Sequence, residues 1–182
     1  YESRGSMILL DELNRCDRHA QNTLLPAIEV EGQRYLAMDE SDGAVVAHCG
    51  ENVCFTATCN LGAEYTGTSQ IDHAIMDRFS SVIRLGFPPV DAEMRVLMNR
   101  CDGLTESQAQ SLLQIASDQR LLAEDGEFTT MISTRSLLAA GRQLACGMPL
   151  AQAVEFCIVN RFSTAGGDAS DRARLQQLVT RF

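Results

Sequence analysis

Four apolar residues, Met7-Ile8-Leu9-Leu10, run without alternation and stop at two adjacent carboxylates, Asp11 and Glu12. A short unbroken apolar run predicts a strand buried on both faces, as in a parallel sheet. An ionised group is costly to bury, so paired carboxylates at the end of such a strand belong at an opening. In open α/β sheets, ligands sit beyond the carboxyl ends of the strands. Taken alone, the segment is either a strand that delivers Asp11 and Glu12 to a ligand or one that ends in an acidic turn.

A second run repeats the design. Asn52-Val53-Cys54-Phe55-Thr56-Ala57-Thr58-Cys59-Asn60 is rich in β-formers and finishes on a polar amide. Between the two, Asp17 suits a helix N-cap, with Ala20, Leu24, Leu25 and Ile28 at helical spacing and Pro26 placed to kink or shorten that helix. Tyr35-Leu36-Ala37-Met38 and Ala44-Val45-Val46-Ala47 predict a β-hairpin with Asp42-Gly43 in or near its turn. A polar loop over 61–69 follows. Thr68 or Ser69 is expected to cap a short helix carrying Ile71, Ile75 and Phe79, with Arg78 in its last turn. Val82-Ile83-Arg84-Leu85 predicts a third short strand before Pro88-Pro89 closes the α/β part.

From Asp91 the hydrophobic period becomes helical. Asp91 is expected to cap a helix through Met94, Leu97, Met98 and Cys101. Thr105-Glu106-Ser107-Gln108 is a capping-box pattern opening a second helix. Ser133 is placed to cap a third, Pro149 suits the first turn of a fourth, and Leu175, Leu178, Val179 and Phe182 mark the last. The expected organisation is an α/β unit over 1–90 and an all-helical bundle of about five helices over 91–182.

Composition narrows the chemistry. All basic residues are arginine, so neither a GxxxxGK[ST] phosphate loop nor a Schiff-base lysine occurs within the chain. Net charge is −9, which argues against a broad nucleic-acid footprint. No apolar run reaches bilayer length. Seven cysteines without a secretory signal point to reduced thiols in the cytoplasm. Cys49, Cys54 and Cys59 are spaced too widely for an ordinary zinc site, and alternation puts the last two on opposite strand faces.

Four features stand in order: Asp11-Glu12, Asn60, Arg78 and Ser133-Thr134-Arg135. On these motifs the chain resembles the AAA+ ATPase superfamily, in its MoxR/CobS/dynein-related branch. Met7 to Glu12 resembles Walker B, and Leu13-Asn14-Arg15 is close to that branch's usual continuation. Phe55 to Asn60 resembles the sensor 1 strand, Thr66 to Phe79 the segment ending in an arginine finger, and Ile132 to Arg135 the start of the sensor 2 helix. The hairpin stands where this branch carries its helix 2 insert. The match covers roughly residues 5–145 and begins just ahead of Walker B, with no Walker A motif. The chain, starting at Tyr1, is therefore expected to be a fragment.

The resemblance implies a partial P-loop NTPase core with parallel strands, followed by a helical lid. It implies ATP and Mg²⁺ as ligands. Asp11 would hold Mg²⁺ through water, Glu12 would take a proton from the attacking water, and Asn60 would hold that water without adding charge. Arg78 would reach the nucleotide of a neighbouring subunit, and Arg135 that of its own. It further implies a homo-oligomeric ring, typically a hexamer, that acts on a protein partner, with a role in chaperone-like activation or cofactor insertion. Residues 1–182 alone are expected to be inactive. The rivals are a non-catalytic assembly subunit of the same architecture and a DNA- or GTP-using motor. Other readings of single residues stay open. Arg78 could be a solvated helix-end residue, Arg135 could pair with Glu124, Asp125 or Glu127, and Arg15 could serve a trans site or pair with Asp17.

Overall fold

The computed structural model describes residues 5–29, 32–40, 43–50, 52–60 and 71–182. These fall into two compact units, Tyr1–Arg84 and Leu85–Phe182. The chain is mixed α/β with a small parallel sheet, followed by a mostly helical region.

In the first unit, β1 (Ser6–Leu10) and β4 (Val53–Ala57) pair in parallel, in register from Ser6↔Val53 to Leu10↔Ala57. Parallel strands need a long crossover, and here it carries α1 (Arg18–Leu24) and an antiparallel hairpin, β2 (Tyr35–Glu40) with β3 (Gly43–His48). Asp17 caps α1 as expected, accepting from the Ala20 amide at 2.8 Å. Pro26 shortens the helix. It has no N–H to give to Asn22, and the Leu25 amide takes that carbonyl instead at 3.2 Å. Asp42, half of the expected hairpin turn, lies outside the described residues, and Gly43 opens β3. Arg34 fastens the hairpin base to β4, donating to the carbonyls of Val53 (2.8 Å) and Gly50 (2.6 Å). Leu13, Ile28, Ile71 and Ile75 form a small core under the sheet, with Leu10, Phe55 and Phe79 packed on it.

Three expectations for this unit are corrected. β1 is not buried on both faces: Met7, Ile8 and Leu9 are exposed, because the small core among the described residues reaches only the Leu10 end of the strand. Residues 82–85 form no strand. Pattern supplies the β-forming side chains but not a neighbour to bond, and no described strand pairs there, leaving Ile83 79% exposed. The short helix is α2 (His73–Met76), and its cap is Asp72, which accepts from the Ala74 amide at 3.0 Å. Thr68 and Ser69 and the loop over 61–69 lie outside the described residues.

The second unit holds α3 (Val90–Arg100), α4 (Glu106–Glu124), α5 (Thr134–Ala145), α6 (Leu150–Cys157) and α7 (Asp171–Val179). Leu97, Leu112, Ile115, Leu137, Val154, Ile158 and Leu175 are fully buried in one core. The capping box at Thr105 and Gln108 is present, and Ser133 and Ser170 cap α5 and α7. Two caps differ from expectation. Pro89, not Asp91, is the N-cap of α3, and Asp91 sits in the first turn, where a carboxylate suits the helix dipole. Pro149 is the N-cap of α6 rather than part of its first turn. Gly103 turns the chain between α3 and α4 with φ of 89°, a left-handed conformation that costs other residues energy.

Inside this core lies an ion pair between two helices. Arg120 of α4 grips Glu93 of α3 through two bonds, at 2.7 and 3.1 Å, and donates through Nε to the Ile132 carbonyl at 2.9 Å. The Thr134 hydroxyl donates to Glu93 Oε1 at 2.5 Å, and the Arg120 guanidinium lies 3.8 Å over the Phe87 ring. Gln119 braces the same approach to α5, donating to the Thr130 carbonyl and accepting from the Ile132 amide, both at 2.8 Å.

All seven cysteines are free thiols. Cys101 is buried at the end of α3, and burial pushes its thiol pKa up; Arg142 opposes that shift and Asp102 adds to it. A raised pKa leaves less thiolate near neutral pH. Iodoacetamide labelling read by mass spectrometry is therefore expected to modify the exposed Cys54 and Cys146 first, and Cys101 only on unfolding. Equal rates for Cys101 and Cys146 would contradict this packing.

Candidate functional site

The parallel register brings the carboxyl ends of β1 and β4 side by side, so the residues after Leu10 and Ala57 emerge together. Asp11, Glu12 and Asn60 all lie at this end. The two chains are cross-strapped beyond the last paired residues. The Thr58 amide donates to the Leu10 carbonyl at 3.0 Å, and the Leu13 amide donates to the Thr58 carbonyl at 2.9 Å. The Thr58 hydroxyl donates to Asp11 Oδ1 at 2.5 Å and accepts from the Glu12 amide at 2.9 Å. In the other direction, Asn14 Nδ2 donates to the Asn60 carbonyl at 2.7 Å, and Asn14 Oδ1 accepts from the Asn60 amide at 3.3 Å. Asn14 is 1% exposed, so its amide side chain extends the ladder from inside the fold. The buried Gln21 closes the turn behind it, donating to the Cys16 carbonyl at 2.9 Å.

Glu12 has φ of 52° and ψ of 43°, the one positive φ outside glycine among the described residues. Left-handed backbone costs an L-residue roughly 1–2 kcal/mol. Such strain persists where surroundings over-determine it, and it clusters at functional sites. The Glu12 carboxylate leaves the strand axis and meets Arg15 Nε at 2.9 Å. The sequence alternatives for Arg15 were a trans site or Asp17; in the structure its ion pair is with Glu12.

Other side chains at this end are unspent. Asp11 is exposed, and its Oδ2 takes no hydrogen bond among the described residues. The Asn60 side-chain amide likewise has no partner there. A carboxylate oxygen and a neutral amide without hydrogen-bond partners among the described residues, at the end of a parallel pair, fit a hydrated hard cation and an anionic ligand. The donor set suits Mg²⁺.

Arg78 stands apart from the strand ends, two residues past α2. Its Nε and Nη2 donate to Glu29 Oε2 at 3.1 and 2.8 Å, and its Nη1 to the Ala74 carbonyl at 2.6 Å. It is thus neither a solvated helix end nor pointed freely outward; its own chain holds it. Arg135 belongs to the second unit. It follows Thr134 at the start of α5, is exposed, and pairs with none of Glu124, Asp125 or Glu127.

Thr58, Asn14 and Gln21 were missed as site residues. Their signal was present only once the register was known: Asp11 and Thr58 are the next opposed pair after Leu10↔Ala57. No helix among the described residues is long and apolar enough to cross a membrane.

Comparison with known proteins adds three findings. Residues 93–182 match the family profile described as CbbQ/NirQ/NorQ C-terminal. Over 153 residues, 84% of this chain and 50% of the other, the chain is 33% identical to a Thauera aromatica protein described as "Putative chaperone BssE". Over 95 residues, 51% of this chain and 27% of the other, it is 30% identical to "Uncharacterized protein YeaC" of Bacillus subtilis (strain 168). The chain therefore spans half the length of the first relative and about a quarter of the second.

Proposed function

Because its residues 93–182 belong to the CbbQ/NirQ/NorQ C-terminal family, in the MoxR-like AAA+ branch, we propose that this chain is part of an ATP-hydrolysing ring subunit that remodels or activates a partner protein. The observation that carries this reading is the pair of strapped strand ends. They present Asp11, a strained Glu12 and an unspent Asn60 side by side, in the order that the resemblance requires. The description of the Thauera relative, "Putative chaperone BssE", supports the remodelling half.

Bound Mg²⁺ and ATP supply the phosphoryl group and the neutralising charge; phosphate capture needs a loop that residues 1–182 do not carry. Asp11 Oδ2 would hold Mg²⁺, which would supply charge neutralisation at the phosphates. Glu12, once parted from Arg15, accepts the proton of the attacking water. Asn60 holds that water by donating or accepting without bringing a second negative charge to the phosphate. Arg78 acts in a neighbouring subunit, which requires a closed head-to-tail ring, a hexamer by resemblance. Arg135 reads the nucleotide from the lid of its own subunit, and the hairpin β2–β3 faces the partner.

Asn60 gives the test. In the full-length protein, Asn60→Ala is expected to lower kcat by about 10- to 100-fold, because the water loses its position. Asn60→Asp should be as poor or poorer and should also raise KM, because it sets a charge against the phosphate. Wild-type turnover in both variants would reject the hydrolysis site. Absence of any ATP turnover in the assembled wild-type protein would favour the non-catalytic assembly subunit.

A further inference from the structure

We propose that Thr58 is the positioning residue that aims both carboxylates, an assignment that rests on the hydrolytic reading of the site. Its hydroxyl is placed between the two groups. As donor it holds Asp11 Oδ1 at 2.5 Å, and as acceptor it holds the Glu12 amide at 2.9 Å. A hydroxyl has one proton to give and lone pairs to receive, so one oxygen serves both bonds at once. Each bond fixes something different. With Oδ1 taken, the Asp11 carboxylate is tethered and keeps one oxygen, Oδ2, without a hydrogen bond among the described residues. With its N–H taken, Glu12 is kept in left-handed backbone, at φ of 52°, which turns its side chain off the strand axis.

The placement of Thr58 is itself over-determined. Its amide and carbonyl continue the ladder to Leu10 and Leu13, so the hydroxyl does not depend on a flexible segment. No other described side chain reaches both groups: Arg15 meets only the Glu12 carboxylate, and Asn14 serves the Asn60 backbone. The hydroxyl, and not the bulk or branching of the side chain, is the working part.

That distinction makes the assignment testable in the full-length protein. Thr58→Val keeps shape and β-branching and removes the hydroxyl; Thr58→Ser keeps the hydroxyl. Amide hydrogen exchange over residues 9–15, without nucleotide, reads the strap directly. Thr58→Val should lose protection of the Glu12 amide and Thr58→Ser should keep it. Steady-state ATP turnover then reads its consequence. Thr58→Val should lower kcat by about 10- to 100-fold with KM for ATP nearly unchanged, and Thr58→Ser should restore most of it. Unaltered exchange in Thr58→Val overturns the strap. Lost protection with wild-type kcat overturns its positioning role. Glu12→Gln, run alongside, keeps the two readings apart. If Glu12→Gln retains turnover the hydrolytic reading has failed, whereas if it is inactive and Thr58→Val is not, only the Thr58 assignment has failed.

Discussion

Glu12→Gln in the full-length protein is expected to cut ATP turnover by about 10²- to 10⁴-fold while leaving Mg²⁺-ATP binding close to wild type. Glutamine matches glutamate in size and bears the same left-handed backbone cost, so the change isolates the loss of a proton acceptor. The Arg15 ion pair does not argue against this role. Both side chains are about half exposed, and such pairs contribute at most about 1 kcal/mol, so the carboxylate parts from Arg15 readily. Arg78 poses the same question with a sharper answer. Its side chain and that of Glu29 are 25% and 38% exposed, and it also gives up the Ala74 carbonyl, so leaving these partners costs more than parting an exposed pair, about 1.5–3 kcal/mol. An arginine supplied to a transferring phosphoryl group is worth about 10³-fold or more, roughly 4 kcal/mol, which exceeds that cost. Arg78→Ala should therefore also be inactive.

The two inactive variants make a stronger experiment together than apart. In a mixed ring, a subunit carrying Glu12→Gln still offers Arg78, and one carrying Arg78→Ala still offers Glu12. Sites where the second receives the arginine of the first are complete. Mixing is expected to restore a fraction of turnover that neither homogeneous ring shows. If titrated mixtures stay inactive although both variants enter the ring, Arg78 does not act across the interface.

The sequence made the strand ends legible because runs of apolar and β-forming residues stop there at polar groups. Apolar runs that stop at Asp11 and at Asn60 are readable from residue type alone. Helix starts were equally legible at Asp17, Thr105 and Ser133, where a side-chain oxygen must meet a nearby amide. Apart from the local caps of α2, α3 and α6, what failed depends on a partner distant in sequence. Residues 82–85 have the composition of a strand, yet hydrogen bonding is a property of pairs. Thr58 reads as an ordinary strand residue, and Asn14 as one polar residue after the strand, until the register sets them against Asp11 and Asn60. Arg78 reads as an arginine finger or else a solvated helix end, and neither reading includes Glu29, its partner, which lies 49 positions away.

The pair Glu93–Arg120 was missed for the same reason, but its stripe held a clue. Glu93 falls one turn before Leu97 on the buried face of α3, and Arg120 one turn after Ala116 on that of α4. A charge on a core stripe must have a partner, and among the described residues these two satisfy each other. Their position matters beyond stability, since Glu93 also takes the Thr134 hydroxyl and Arg120 the Ile132 carbonyl. Together they anchor the first residue of α5, next to Arg135.

Removing one partner leaves an uncompensated charge that is costly to bury, so Glu93→Leu or Arg120→Met alone is expected to destabilise by about 3–5 kcal/mol. With Glu93 only 1% exposed, solvent offers it little relief. The double variant Glu93→Leu/Arg120→Met removes both charges and fills the space with apolar atoms. Such replacements are often neutral or stabilising, so it should recover most of the loss. It does not restore the bonds to Thr134 and Ile132, however. Urea unfolding followed by far-UV circular dichroism should therefore show two weak single variants and a stable double one. In the double variant, hydrogen exchange over residues 130–136 should remain faster than in wild type, because the polar anchor of α5 is gone. A double variant as unstable as the singles would mean that the bonds to α5, rather than the charge pair, set the cost.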